Sequence, residues 1–240
     1  MADDTTSTAE LAPAPAEIRS KLALALDVDD LVVAVRWARE LRPWFGVAKV
    51  GLELYSAVGP DAIGALTDLG YDVFCDLKLH DIPTTVGRAA RVLGAMGTRY
   101  LNFHAQGGVD MLRAGVEGLA EGAEGAGLPP PIALAVTVLT SDHTAPAHVL
   151  LDRVRGALDS GCGGIVCAAE DVREAKHYGP RLVAVVPGIR PTGVPLQDHA
   201  RAATPRVALD AGADVLVIGR PVTQADDPRA AAAAIAAELA

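Results

Sequence analysis

Short apolar runs recur along the chain, separated by polar turns and by longer stretches with helical spacing. Eight runs stand out: Leu22–Val28, Val47–Gly51, Asp72–Leu77, Tyr100–Phe103, Ile132–Val138, Gly164–Cys167, Leu182–Val186 and Val215–Ile218. Most are apolar on successive residues rather than on alternate ones, the pattern of parallel strands covered on both faces. Helix-like segments lie between them. One spans Asp30–Leu41 and opens on acidic residues that suit a helix N-terminus. Another starts at Pro83, a residue suited to the first helical turn. Two more begin near Val109 and Ala147, and the Ala-rich segment Arg229–Ala240 closes the chain.

Eight strand-then-helix units in 240 residues are the arithmetic of a (β/α)8 barrel. The rival, a doubly wound open sheet, calls for G-x-G-x-x-G after its first strand. Here the first run ends Asp27-Val28-Asp29-Asp30, with no glycine. The expected fold is a single-domain α/β protein, a TIM barrel over residues 17–240. Residues 1–16 are small, polar and Pro-containing, and are expected to form a disordered tail.

Half of the residues are hydrophobic, enough for one sizeable core, and no linker divides the chain. A formal net charge of −9 argues against general nucleic-acid binding but leaves room for a basic pocket around one small anion. Apolar stretches such as Ile132–Val136 fall far short of the ~20 residues that span a membrane. Met1–Glu10 is acidic and lacks the apolar core of a secretory signal. Cys75, Cys162 and Cys167 form no CxxC pair and cannot all pair within the chain, which fits a reduced cytoplasmic compartment. No HxH or HExxH spacing occurs, so no metal is expected.

Chemistry in such a barrel lies at the C-terminal ends of the strands. The lysines there are informative. The chain has 17 Arg and only four Lys, yet Lys49 and Lys78 interrupt apolar strands, where an unpaired charge is costly. Asp76 and Lys78 are two apart on one strand and are expected to share a face, with Asp81 one turn on. Asp27 ends the first strand. Two readings stand: a structural ion-pair network, or an alternating-charge array that aims a lysine ammonium at one point, as a general acid needs. The convergence of Asp27, Lys49, Asp76, Lys78 and Asp81 favours the second. Gly188, Arg190, Gly219 and Arg220 follow strands seven and eight, where barrels often bind phosphate; surface arginines beside glycine turns are the plainer alternative. His80 is expected to face away from Lys78, His104 to orient neighbours at the mouth, and His143, His148, His177 and His199 to lie on the surface. Cys75, Trp37 and Trp44 read as core.

The run Asp76-Leu77-Lys78-Leu79-His80-Asp81-Ile82-Pro83-Thr84-Thr85 resembles the signature of the bacterial-type orotidine 5′-phosphate decarboxylase family. Leu24–Asp27, Lys49–Gly51, Val136–Ser141, Pro187–Pro191 and Ile218–Thr223 match the family's other blocks in the same order. The resemblance implies conversion of orotidine 5′-monophosphate to uridine 5′-monophosphate and carbon dioxide, the last step of UMP biosynthesis, without metal or cofactor. By position, it makes Lys78 the proton donor to pyrimidine C6, sets Asp76 beside the departing carboxylate, and completes the array with Lys49 and Asp81. It matches Asp27 and Lys49 to ribose hydroxyls, Thr140 with Ser141 beside it to the pyrimidine, and Arg190, Gly219 and Arg220 to the phosphate. Gln197 matches a residue bridging phosphate and base. It also implies a homodimer in which Asp81 and Thr85 reach the partner's site. Between Arg190 and Gln197 the stretch is somewhat shorter than is common in the family, and Pro191 and Pro195 are expected to stiffen it.

Loss of carbon dioxide from C6 leaves an electron pair in an sp² orbital that the ring cannot delocalise. A fixed cation must stabilise that carbanion and then protonate it, work for which lysine suits and arginine does not. Magnesium-dependent sugar-phosphate decarboxylases and aldolases share the Asp-x-Lys-x-x-Asp block. They are expected to carry a metal-holding carboxylate on strand two, where this chain has Lys49. A non-catalytic phosphate-binding barrel is the remaining alternative, though decay would be expected to remove at least one of the four charges.

Overall fold

The computed structural model describes residues 11–142, 144–191 and 203–240. Eight parallel strands close into a barrel in chain order, with β1 hydrogen-bonded to both β2 and β8. They are β1 Leu22–Ala25, β2 Val47–Val50, β3 Asp72–Leu79, β4 Thr98–His104, β5 Ile132–Val136, β6 Gly164–Val166, β7 Val183–Val186 and β8 Val215–Ile218. The described helices are α1 Ala16–Arg19, α2 Leu31–Leu41, α3 Leu52–Val58, α4 Asp61–Asp68, α5 Pro83–Ala95, α6 Gly108–Gly125, α7 Ala147–Asp159, α8 Ala169–Tyr178, α9 Pro205–Asp210, α10 Arg220–Thr223 and α11 Pro228–Leu239. All eight expected strands are present. Asp30 caps α2, its carboxylate accepting from the N–H groups of Val32 (2.7 Å) and Val33 (3.1 Å). Pro83 occupies the first turn of α5.

Alternation sorts the strand residues into two cores. Leu22, Leu24, Ala48, Val50, Cys75, Leu101, Phe103, Ile165, Leu216 and Ile218 face the helices and join the outer core. Ala23, Ala25, Val47, Phe74, Tyr100, Leu134, Val136, Val185, Val215 and Val217 pack inside the barrel. Both faces are thus buried, which is why the runs are apolar without a break. The inward parity continues upward, so Lys49 follows Val47, Asp76 follows Phe74, and Asn102 follows Tyr100.

Two expectations change. Residues 11–16, read as tail, lie against the barrel: Ala14 N–H donates to Pro43 O (3.0 Å), the Trp44 indole donates to Ala12 O (3.0 Å), and α1 begins at Ala16. Leu11 and Ala14 gain apolar contact there, which composition alone did not reveal. Trp44 is buried as expected, but Trp37 is only half-buried and lines the cavity at the barrel mouth.

Helices α5 and α6 approach each other unusually closely, through glycine. A Cβ on Gly118 would collide with the carbonyl oxygen of Gly87, and one on Gly122 with that of Arg91; a Cβ on Gly94 would strike Leu119 O from the other side.

Candidate active site

A cavity of about 640 Å³ opens at the C-terminal ends of the strands. Its floor includes Ala25, Phe74, Val136, Val166 and Val217, the uppermost members of the inner apolar core. Above them stand charges. Lys49 Nζ lies 2.9 Å from Asp27 Oδ1 and 3.4 Å from Asp76 Oδ2. Asp76 Oδ1 in turn pairs closely with Lys78 Nζ. The result is a continuous relay, Asp27–Lys49–Asp76–Lys78, from β1 across β2 to β3.

Position along the strands explains its electrostatics. Lys49 is only 7 % exposed. Burial pulls its pKa down, but the charges of Asp76 and Asp27 outweigh that and hold it above the ordinary lysine value. Burial pushes Asp76 up, while Lys49 and Lys78 together hold its carboxyl below the ordinary aspartate value. Lys49 and Asp76 are therefore each kept ionised by their neighbours. The last lysine of the relay faces the cavity.

The strand that carries Asp76 and Lys78 is not regular. Cys75 pairs with Leu101 and Leu79 with Phe103, so three residues of β3 oppose the single Asn102 of β4. Lys78 takes a φ of 51°, the one positive value among the described non-glycine residues. The two side chains do meet, as alternation predicts, but through a bulge rather than a straight strand.

A family model described as "Orotidine 5′-phosphate decarboxylase / HUMPS family" matches residues 20–235. The chain belongs to this family. It is 45% identical over 230 residues to the orotidine 5′-phosphate decarboxylase of Anaeromyxobacter sp. (strain K), covering 91% of this chain and 98% of that protein. It is 44% identical over 230 residues to the Thermobifida fusca protein of the same name, covering 91% and 95%. A crystal structure of orotidine 5′-phosphate decarboxylase from Lactobacillus acidophilus matches with a TM-score of 0.77 at 35% identity, over 91% of this chain and 98% of that one.

Against the orotidine 5′-phosphate decarboxylase pattern, most expected site residues converge. Asp27, Lys49, Asp76, Lys78, Thr140, Gly188, Arg190, Gly219 and Arg220 all line the cavity. Arg190 is buried, and its Nη1 donates to Ile189 O (2.9 Å). Ser141 is exposed beside Thr140 and lies outside the lining. Asp81 and Thr85 are exposed at the start of α5, away from the relay, and Asp81 Oδ1 accepts from the Ile82 N–H (2.6 Å). Gln197, His143 and His199 lie outside the described residues. His80 is exposed and turned from the cavity, its ring centroid 5.6 Å from that of His104. Burial, with His80 and Lys78 nearby, lowers the pKa of His104. Cys75 packs outward and shares a hydrogen bond with Thr98 Oγ1 (3.3 Å); burial pushes its thiol up to about 11.

Trp37, Glu53, Thr223 and Gln224 also line the cavity, and sequence reasoning gave them no role. Asn102, inside the Tyr100–Phe103 run, likewise had no role from sequence. Its signal was parity: it is a polar residue on the inward face of an apolar strand. Among the described residues, no group of three or more His, Cys, Asp or Glu is arranged to hold a metal, and no helix is long and apolar enough to cross a membrane.

Proposed function

We propose that this chain decarboxylates orotidine 5′-monophosphate to uridine 5′-monophosphate and carbon dioxide, the closing step of UMP biosynthesis, in the cytoplasm. The observation that carries the reading is the buried relay ending on Lys78 at the cavity, in a chain of this family. The bond from C6 to the carboxylate breaks and its electron pair stays on C6. Lys78 Nζ, held by Asp76, stabilises that pair and delivers a proton to C6; the amine regains its proton from solvent. Asp76 faces the leaving carboxylate. Asp27 and Lys49 take the ribose hydroxyls, Thr140 and Ser141 the pyrimidine, and Arg190, Gly219 and Arg220 the phosphate, with Gln197 bridging phosphate and base. Phosphate binding far from C6 contributes energy to the chemical step.

The reaction needs no metal: where the rivals carry a metal-holding carboxylate on strand two, this chain has Lys49, a cation already paired with Asp27 and Asp76. This counts against the magnesium-dependent members of the superfamily. The test is turnover of orotidine 5′-monophosphate, followed by loss of its absorbance, before and after exhaustive chelation. Equal rates are expected; loss on chelation with recovery on adding magnesium would favour the sugar-phosphate rivals.

The working unit is a homodimer with shared sites. Asp81 and Thr85 are exposed in the single chain, and Asp81 makes no ion pair with Lys78 there. The same helix start opens an apolar stripe: Ile82 (66 % exposed), Ala89, Val92 (48 %) and Met96 (36 %), spaced as one helix face. A second copy covering this stripe would receive Asp81 and Thr85 at its cavity. Mixing Lys78→Ala with Asp81→Ala subunits checks this. Random exchange at equal amounts makes about half the dimers mixed, each with one intact site, so activity should return to about a quarter of wild type. Verified exchange with no recovery would assign Asp81 to its own chain's site.

A further inference from the structure

The bulge in β3 leaves two groups to be held in place, and one side chain holds both. Lys78 sits in the left-handed region, which a non-glycine residue keeps only when its surroundings impose it. Its N–H has lost the regular ladder, because β4 offers one residue, Asn102, opposite Asp76, Leu77 and Lys78. Asn102 is fully buried. Its Oδ1 accepts from Lys78 N–H at 2.7 Å, and its Nδ2 donates to Asp76 Oδ1 at 2.7 Å. The backbone N–H can only donate and the carboxylate can only accept, so the partners fix which way the amide points.

We infer that Asn102 is a positioning residue: its amide locks the left-handed backbone of Lys78 and the rotation of Asp76 together, so that the lysine ammonium is aimed at one point in the cavity. Asp76 Oδ1 is shared between Lys78 Nζ and Asn102 Nδ2, which leaves Oδ2 for Lys49. Without the amide, the carboxylate is held only by the two mobile lysine side chains, and the Lys78 backbone loses the acceptor that keeps the strand bulged. Asn102 does not line the cavity, so its effect on substrate is indirect.

The rate test rests on the decarboxylase reading. Asn102→Ala should lower kcat about a hundredfold with KM within about threefold, the pattern of a misaimed group rather than a lost binding contact. Asn102→Asp keeps the shape and guards against a variant that fails to fold. Ionised, the new carboxyl has no hydrogen for Asp76; protonated, it again offers one acceptor and one donor. Lys78 from the adjoining β3, Lys49 from β2 beyond it, and His104 two residues on bear on the same spot in both proteins. The profile is therefore read as the ratio of variant to wild type. That ratio should rise about tenfold from about pH 8 to pH 5. A folded Asn102→Ala protein within twofold of wild-type kcat, or a flat ratio for Asn102→Asp, would overturn the inference. If the wild type itself fails to turn over orotidine 5′-monophosphate, the decarboxylase reading falls and the positioning claim is judged on a crystal structure of Asn102→Ala. There Lys78 should leave the left-handed region or Asp76 should rotate; an unchanged bulge overturns it.

Discussion

The lower and upper layers inside the barrel are built from the same strands by the same alternation, yet they are held by different forces. Below, Ala23, Val47, Tyr100, Leu134, Val185 and Val215 fill space, and their grip is close packing of apolar volume. Above, Asp27, Lys49, Asp76 and Lys78 contribute little volume and leave a cavity. Their grip is mutual charge and the hydrogen bonds of one amide. A buried ion pair is weak as a source of stability but strict about direction. The floor can therefore make the fold stable while the mouth makes it reactive, and substitutions should separate the two.

The largest effect should come from the mouth. Lys78→Ala is expected to fold but to lose decarboxylation by about a thousandfold or more, measured as substrate absorbance at high enzyme concentration. Retention of more than about a tenth of wild-type kcat would remove Lys78 from the proton-donor role. The floor should answer in the opposite way. Leu134→Ala, fully buried and outside the cavity lining, should cost about 2–5 kcal/mol in urea denaturation, with kcat of the folded protein within about twofold. A rate loss as deep as that of the mouth variant would mean that the two layers are not separable. Smallest is the phosphate side. Arg220→Ala should weaken phosphorylated substrate by roughly ten- to a hundredfold while sparing the bare nucleoside, since one charge-assisted contact is worth ~1.5–3 kcal/mol. Equal loss for both substrates would make Arg220 structural.

The same contrast sets what could be read in advance. The apolar strands were legible because burial on both faces leaves a continuous signature, although the first run was drawn to Val28 and β1 ends at Ala25. Lys49 and Lys78 were legible because a charge at the end of such a run is costly unless it is paired, which marks it for a network or a site. What escaped depends on register between distant segments. Nothing local in Tyr100–Phe103 says that Asn102 will face a bulge, and nothing local in Asp76-Leu77-Lys78 says that the lysine backbone will turn left-handed. Trp37 escaped for a similar reason: a tryptophan on an amphipathic helix reads as core until the edge of the cavity is known. Residues 11–16 have a tail's composition and acquire order only from the surface beneath them.

The glycine contact between α5 and α6 bears on how the protein tolerates change. Helix α5 carries Thr85 at its start and an apolar stripe along one face, while its other side rests backbone to backbone on α6 at Gly87 and Gly118. Adding a single methyl group at Gly118 or Gly122 would push the whole helix outward, and Asp81 and Thr85 with it. A residue-by-residue substitution scan would therefore score these glycines as intolerant alongside Lys78, although they touch neither substrate nor charge. Their contribution is the carbon atom they lack, which sets how closely α5 and α6 can approach.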